Sequence, residues 1–151
     1  ALINLTETWL YSSQSMQFLF NQSIHLMFSE KTDKLNLLRQ INWLSLKMAR
    51  IGNWLYTWKR EIGGGDFTSG VFTLGIDRGI FKLNTLKPAN KKKIISLIQK
   101  SKIEQELLQE WQKCYNELKS FRGRTQIDIP KLICGLKKTL SLEASLAKKI
   151  K

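Results

Sequence analysis

Apolar residues recur every three or four positions between residues 33 and 62, and this spacing constrains the fold more than any other feature. The apolar residues with this spacing are Leu37, Leu38, Ile41, Leu44, Met48, Ile51 and Leu55. Spacing of this kind lays one apolar stripe along a helix that faces a core. Thr32 or Asp33 can cap this helix at its start, and the glycines at 63–65 end it.

The same signals continue along the chain and predict six helices and no strand. We expect helices at about 5–28, 33–62, 66–81, 91–99, 101–121 and from 130 onward. Ser101 and Glu104 have the spacing of a capping box, so either a helix begins there or one helix continues through. With only two prolines, long helices are permitted. Residues 1–151 are therefore expected to form a single all-α domain, a helical bundle.

Residues 8–29 lack any formal charge, which raises the question of a membrane span. The stretch holds too many Ser, Gln and Asn side chains for a spanning helix, so we predict a buried helix instead. No targeting signal is visible, which favours a cytoplasmic location. Cys114 and Cys134 would then lie in a reducing compartment, and we predict that both are free, buried thiols.

Three oxygen-bearing side chains, Asn53, Thr57 and Glu61, follow one another at steps of four near the end of the second predicted helix. Steps of four return to nearly the same helix face. An amide, a hydroxyl and a carboxylate supply the hard oxygen ligands that Mg²⁺ prefers. Arg60 lies next to the last of them, where a phosphate could use its guanidinium. The bare pattern is weak, because an ordinary solvated helix face can carry the same trio.

The run from residue 53 to residue 66 resembles the second metal-binding motif of class I terpene synthases. In that family the motif reads Asn-Asp-x2-Ser/Thr-x2-Lys/Arg-Glu and is often followed by a Gly-Asp pair. The matching positions in this chain are Asn53, Thr57, Arg60, Glu61, Gly65 and Asp66. Trp54 stands where the family usually has an aspartate that is not normally a metal ligand.

The resemblance implies a fold and a reaction. The helical bundle would be part of a class I isoprenoid-synthase fold, in which Asn53, Thr57 and Glu61 hold Mg²⁺ against the diphosphate of a prenyl diphosphate. Arg60 would bind the diphosphate oxygens and help the bond to carbon break. An enzyme of this kind, a lyase that acts on carbon–oxygen bonds, ionises its substrate and cyclises the resulting cation in an apolar pocket.

The first predicted helix is the expected pocket wall, with Phe18 and Asn21 as candidate substrate-binding residues and Gln22 and His25 beside them. Core packing is the simpler interpretation of each of these side chains. The lone His25 is more typical of a buried histidine with satisfied hydrogen bonds than of a base.

The family also requires an aspartate-rich motif, Asp-Asp-x2-Asp/Glu, on an earlier helix. This chain has no Asp-Asp pair, and its four aspartates are scattered at Asp33, Asp66, Asp77 and Asp128. We therefore expect the C-terminal part of a larger class I domain, whose partner is a missing N-terminal half or a second copy of the chain. Half a metal site puts the activity of the isolated chain in doubt.

Two other interpretations remain open. Eighteen Lys and Arg against seven Asp and Glu make residues 71–151 strongly basic within a chain of net charge +13, and Lys91, Lys92 and Lys93 open a helix. A basic helical module could bind nucleic acid, although no base-reading motif is present and charge runs are usually solvated faces. A bundle that docks on a protein partner could instead expose Trp43, Trp54 and Trp58 on the second predicted helix, although core packing is the simpler interpretation of these side chains.

Overall fold

A computed structural model describes residues 35–149, apart from the side chains of residue 143 and residues 146–149. These residues form five α-helices and two short 3-10 helices, and they contain no strand. The α-helices are α1 (Leu35–Gly64), α2 (Gly70–Asp77), α3 (Lys91–Lys100), α4 (Ile103–Ser120) and α5 (Ile129–Lys149), and the 3-10 helices are Leu83–Thr85 and Pro88–Asn90. The predicted all-α class is confirmed. The helix predicted at 5–28 lies outside the described residues.

The longest helix, α1, lies at the centre of this arrangement and packs most extensively against α4 and α5. Of the predicted apolar stripe, five residues are buried and Leu37 and Leu55 pack partly buried against the core. The buried five are Leu38, Ile41, Leu44, Met48 and Ile51. The three-and-four spacing therefore identified the core face of α1 correctly.

Two tryptophans extend the core face of α1 beyond that stripe. Trp54 is 2% exposed and Trp58 is fully buried, so the interpretation in which both form an exposed docking patch is wrong. The Trp58 ring meets Phe72 of α2 edge to face at 6.4 Å. Its indole nitrogen Nε1 donates a hydrogen bond to the Glu104 carboxylate at 3.1 Å. One side chain thus connects α1 to both α2 and α4.

The helix after the glycines is shorter than predicted. Residues 66–81 were expected to form one helix, whereas α2 covers only Gly70–Asp77. The Ser69 side chain caps its start by accepting a hydrogen bond from the Val71 N–H at 3.3 Å. Gly79, with φ of 66°, lies in the turn that follows α2.

The remaining boundaries depend on local side-chain hydrogen bonds. Ser101 separates α3 from α4, because its hydroxyl donates to the Ile98 carbonyl at 2.6 Å and accepts from the Ile103 N–H at 3.3 Å. The capping-box position is therefore a boundary between two helices. Asn90 directly precedes α3, but its amide donates to the Thr85 carbonyl at 2.9 Å and does not cap the helix.

Cys114 is buried and Cys134 is exposed, so the prediction of two buried thiols is correct only for Cys114. Both are free cysteines, as predicted. Within residues 35–149, none of the helices combines the length and the apolar character needed to cross a membrane.

We predict that Gly70→Ala destabilises the protein by about 1–3 kcal/mol, because the added Cβ would overlap the buried ring of Trp54. Gly135→Ala is the matched control in α5, where a Cβ meets no atom within 4 Å. The control should stabilise the protein by about 0.5–1 kcal/mol, since alanine loses less entropy in a helix. Urea unfolding of the three proteins measures both effects. Equal stability of Gly70→Ala and the unmodified chain would show that Trp54 does not pack on α2 in this way.

Candidate functional site

The three predicted ligands lie on one face of α1, near its C-terminal end. Asn53, Thr57 and Glu61 are each partly buried, whereas Trp54 and Trp58 on the neighbouring face belong to the core. We call the face of α1 that carries Asn53, Thr57 and Glu61 the ligand face. Because the tryptophans hold α1 against α2 and α4, the ligand face has a fixed position between core and solvent. A rigid helix is a suitable support for a binding site.

The hydroxyl group of Thr57 connects the other two members of the trio. Its Oγ1 donates to the backbone carbonyl of Asn53 at 2.8 Å. The Glu61 carboxylate is a second acceptor for the same proton, and a hydrogen bond from Thr57 lowers the pKa of Glu61. A hydroxyl has one proton and two lone pairs, so the Thr57 oxygen can still coordinate a cation.

The Glu61 carboxyl lies in surroundings that disfavour its negative charge. Burial is the main reason that the pKa of Glu61 is raised above its ordinary value, and the nearby carboxylate of Asp66 adds to the effect. The hydrogen bond from Thr57 and the charges of Arg60 and Arg50 lower the same pKa. A cation beside Glu61 would offset both the burial and the repulsion by Asp66, so the carboxylate is suited to a positively charged ligand.

Arg50 belongs to the same helix face, and sequence analysis missed it. Burial lowers the pKa of its half-buried guanidinium, and the charge of Glu61 acts against that shift. The signal was present in the spacing, since Arg50 precedes Asn53 by three residues and steps of three and four stay on one face. Arg50 therefore joins the candidate site as a second cation beside the exposed Arg60.

The Gly-Asp pair of the motif ends α1 through a Schellman motif. The Asp66 N–H donates to the Glu61 carbonyl at 3.0 Å, and the Gly65 N–H donates to the Ile62 carbonyl at 3.2 Å. Gly65 has φ of 74°, a left-handed conformation that favours glycine. The Asp66 carboxylate accepts hydrogen bonds from the N–H and hydroxyl of Thr68 at 3.0 and 2.8 Å. This turn explains why Asp66 acts on the charge of Glu61.

The three oxygen donors of the trio suit Mg²⁺, which also binds water and substrate phosphates, better than they suit a metal ion whose ligands all come from the protein. Within residues 35–149, no three His, Cys, Asp or Glu side chains lie together as a metal-binding group. Asn53, Thr57 and Glu61 instead offer one amide, one hydroxyl and one carboxylate oxygen. Mg²⁺ commonly binds through one or two carboxylates and completes its shell with waters and substrate phosphates.

Other predicted residues lie elsewhere. Phe18 and Asn21, the candidate pocket wall, are outside the described residues, as are Gln22 and His25. The three lysines at 91–93 are exposed at the start of α3, as expected for a solvated face.

Comparison with known proteins identifies no relative of this chain. No family model, no curated protein and no solved structure matches it. Its function is therefore inferred from the sequence pattern and the geometry of the described residues.

We predict that the free energy of unfolding of Glu61→Gln rises relative to that of the unmodified chain by about 0.5 kcal/mol between about pH 4 and about pH 7. Burial raises the folded-state pKa of Glu61 above its unfolded value, so ionisation of this carboxyl destabilises the fold as the pH increases. Glutamine does not ionise and escapes this loss. Urea unfolding at both pH values measures the difference.

Glu110→Gln is the control with the opposite sign. The Lys47 ammonium lies 2.6 Å from the Glu110 carboxylate, and this hydrogen-bonded ion pair lowers the pKa of Glu110. The stabilisation is therefore present above the ordinary pKa of a glutamate and is lost as the pH falls. We expect Glu110→Gln to lose about 0.5 kcal/mol relative to the unmodified chain over the same rise in pH. A shift of the same sign for both variants would contradict the assigned environments.

Proposed function

We propose that this chain supplies the Asn-Thr-Glu half of a Mg²⁺–diphosphate site in an enzyme that resembles class I terpene synthases. Such an enzyme would ionise a prenyl diphosphate and cyclise the resulting cation. The observation that carries the proposal is the partly buried face of α1, where Asn53, Thr57 and Glu61 lie together with Arg50.

In this proposal the trio holds and orients the ion. Asn53 and Thr57 would each donate one neutral oxygen, and Glu61 would add the single negative charge of the set. When bound, Mg²⁺ neutralises charge on the departing diphosphate. The coordination positions of Mg²⁺ that the three protein oxygens would leave open favour a ligand with oxygen atoms of its own, such as a diphosphate.

The two arginines would have different functions. Arg50 is half-buried, and its attraction for an anion is less screened there than at the surface. Arg60 is exposed and would meet the diphosphate as it arrives. Two cations beside the metal would stabilise the negative charge that develops when the carbon–oxygen bond breaks. Positioning both on one rigid helix keeps them in place before the substrate binds.

The aspartate-rich half of the site must come from outside this chain. The sequence has no Asp-Asp pair, and a second copy would bring the same four scattered aspartates. Another polypeptide segment is therefore the better source of the second motif than a homodimer. Until that segment is present, we expect Mg²⁺-dependent binding of pyrophosphate but no turnover of a prenyl diphosphate.

We predict that the chain binds pyrophosphate in the presence of Mg²⁺ and that Glu61→Gln weakens this binding by at least about tenfold. Loss of even an outer partner of a metal ligand has an effect of that size, and Glu61 would be a ligand itself. Isothermal titration calorimetry with pyrophosphate, with and without Mg²⁺, measures the affinity. Unchanged affinity in Glu61→Gln would contradict the assignment of the metal site.

Glu117→Gln is the matched control, because Glu117 is exposed on α4 and the change in charge is identical. The control should bind pyrophosphate as the unmodified chain does. If both variants weaken binding equally, net charge alone explains the effect, and the proposal fails. In an enzyme that also carries the aspartate-rich motif, Glu61→Gln should abolish pyrophosphate release from prenyl diphosphates, and unchanged release would exclude a terpene synthase mechanism.

A further inference from the structure

A groove with an apolar floor and a basic rim lies between α4 and α5. The two helices are joined by residues 121–128 and contact each other, and the groove between them has a volume of about 780 Å³. Its floor includes Tyr115 and Ile133, and its rim is formed by Lys119, Arg122, Lys137 and Lys138. We call this feature the basic groove.

The rim of the basic groove carries an unbalanced positive charge. Its described lining residues include four cations and no carboxylate. None of the four forms an ion pair with another described residue, since the ion pairs found there involve other Lys and Arg side chains. Lys137 lies with its Nζ 4.6 Å from the centroid of the Tyr115 ring, which holds this lysine across the two helices. The four cations therefore have no ion-pair partner among the side chains that the structure describes.

The apolar part of the groove needs a different kind of partner from its rim. Leu142 at one end of the groove is 58% exposed, and Tyr115 is partly exposed beside the buried Ile133, so the groove presents apolar surface. An occupant must therefore bring an apolar body together with negative charge. The volume lies within the range of about 300–1,000 Å³ that is usual for sites of small molecules.

Charge complementarity argues against a second copy of this chain as the occupant. A chain of net charge +13 would repel the rim. A carboxylate would neutralise one of the four cations, whereas a phosphate carries a charge of about −1.5 to −2 and three acceptor oxygens.

We propose that the basic groove binds a single-chain amphiphile with a phosphate headgroup. The apolar chain would lie over Ile129, Ile133 and Leu142. Arg122 can hold two phosphate oxygens with its planar guanidinium, and the lysines add point charges around them. The basic groove shares no residue with the Asn-Thr-Glu face of α1 and requires no metal, so this binding is independent of the proposed function.

Cys134 makes the proposal directly testable. It lines the groove and is exposed, while Cys114 is buried and burial raises the pKa of its thiol. The chain has no other cysteine, so alkylation by N-ethylmaleimide in the folded protein reports on Cys134. With EDTA present, dodecyl phosphate below its micelle concentration should slow the reaction. At about ten times the dissociation constant, mass action gives a rate about tenfold lower.

The control ligands distinguish the contribution of the alkyl chain from that of the headgroup. Dodecyl maltoside has the chain without the charge, inorganic phosphate has the charge without the chain, and neither should protect Cys134. Equal protection by either one would overturn the proposal. Protection by anionic phosphatidylglycerol vesicles or by an acidic amphipathic peptide, without protection by dodecyl phosphate, would also overturn it in favour of a membrane surface or a protein partner.

A pair of variants tests the rim. Lys137→Gln/Lys138→Gln should weaken protection by dodecyl phosphate about tenfold, the effect of losing one hydrogen bond to a charged group. Lys92→Gln/Lys93→Gln removes the same charge from exposed positions of α3 and should leave protection unchanged. Because neighbouring lysines influence thiol reactivity, the rates with and without ligand are compared within each variant. Equal weakening in both variants would show that net charge, and not the groove, attracts the amphiphile.

Discussion

Burial of one face of α1 is the interaction on which the rest of this structure depends. Trp54 and Trp58 anchor that face: Trp54 lies against Gly70 of α2, and Trp58 meets Phe72 of the same helix and donates a hydrogen bond to Glu104 of α4. Rings of this size bury large apolar areas while their polar groups still find partners. With α1 held in this way, the side chains on its other faces have fixed positions as well.

The ligand face of α1 acquires its chemistry from that fixed position. Glu61 is buried far enough for its negative charge to be disfavoured, and Asp66 lies close because the Schellman motif turns the chain back at Gly65. Arg50 and Arg60 supply positive charge at two different depths. The Gly-Asp pair that strengthens the resemblance to terpene synthases therefore also has a structural reason, since it ends the helix. The proposal consequently depends more on the trio and Arg50 than on the pair.

Much of the fold could be predicted because it follows from local rules. The three-and-four spacing identified five of the buried residues on α1, and the glycines at 63–65 marked its end. The prediction for residues 66–81 was wrong because periodicity does not reveal a serine cap at Ser69 or a turn around Gly79. At the site, the spacing predicted which residues share a face. Arg50 was missed because an arginine on a helix is usually an exposed surface charge.

The sequence alone determined the helical class, the register of Asn53, Thr57 and Glu61, and the positive charge of the second half, since these depend on spacing and composition. Tertiary structure alone decided which side chains are buried and which charges come together. Burial of Trp54 and Trp58 requires α1 to pack against α2 and α4. Burial also raises the pKa of Glu61, and Lys119 and Arg122 meet Lys137 and Lys138 only where α4 and α5 pack. Desolvation arises where helices pack against one another, and no single helix contains that information.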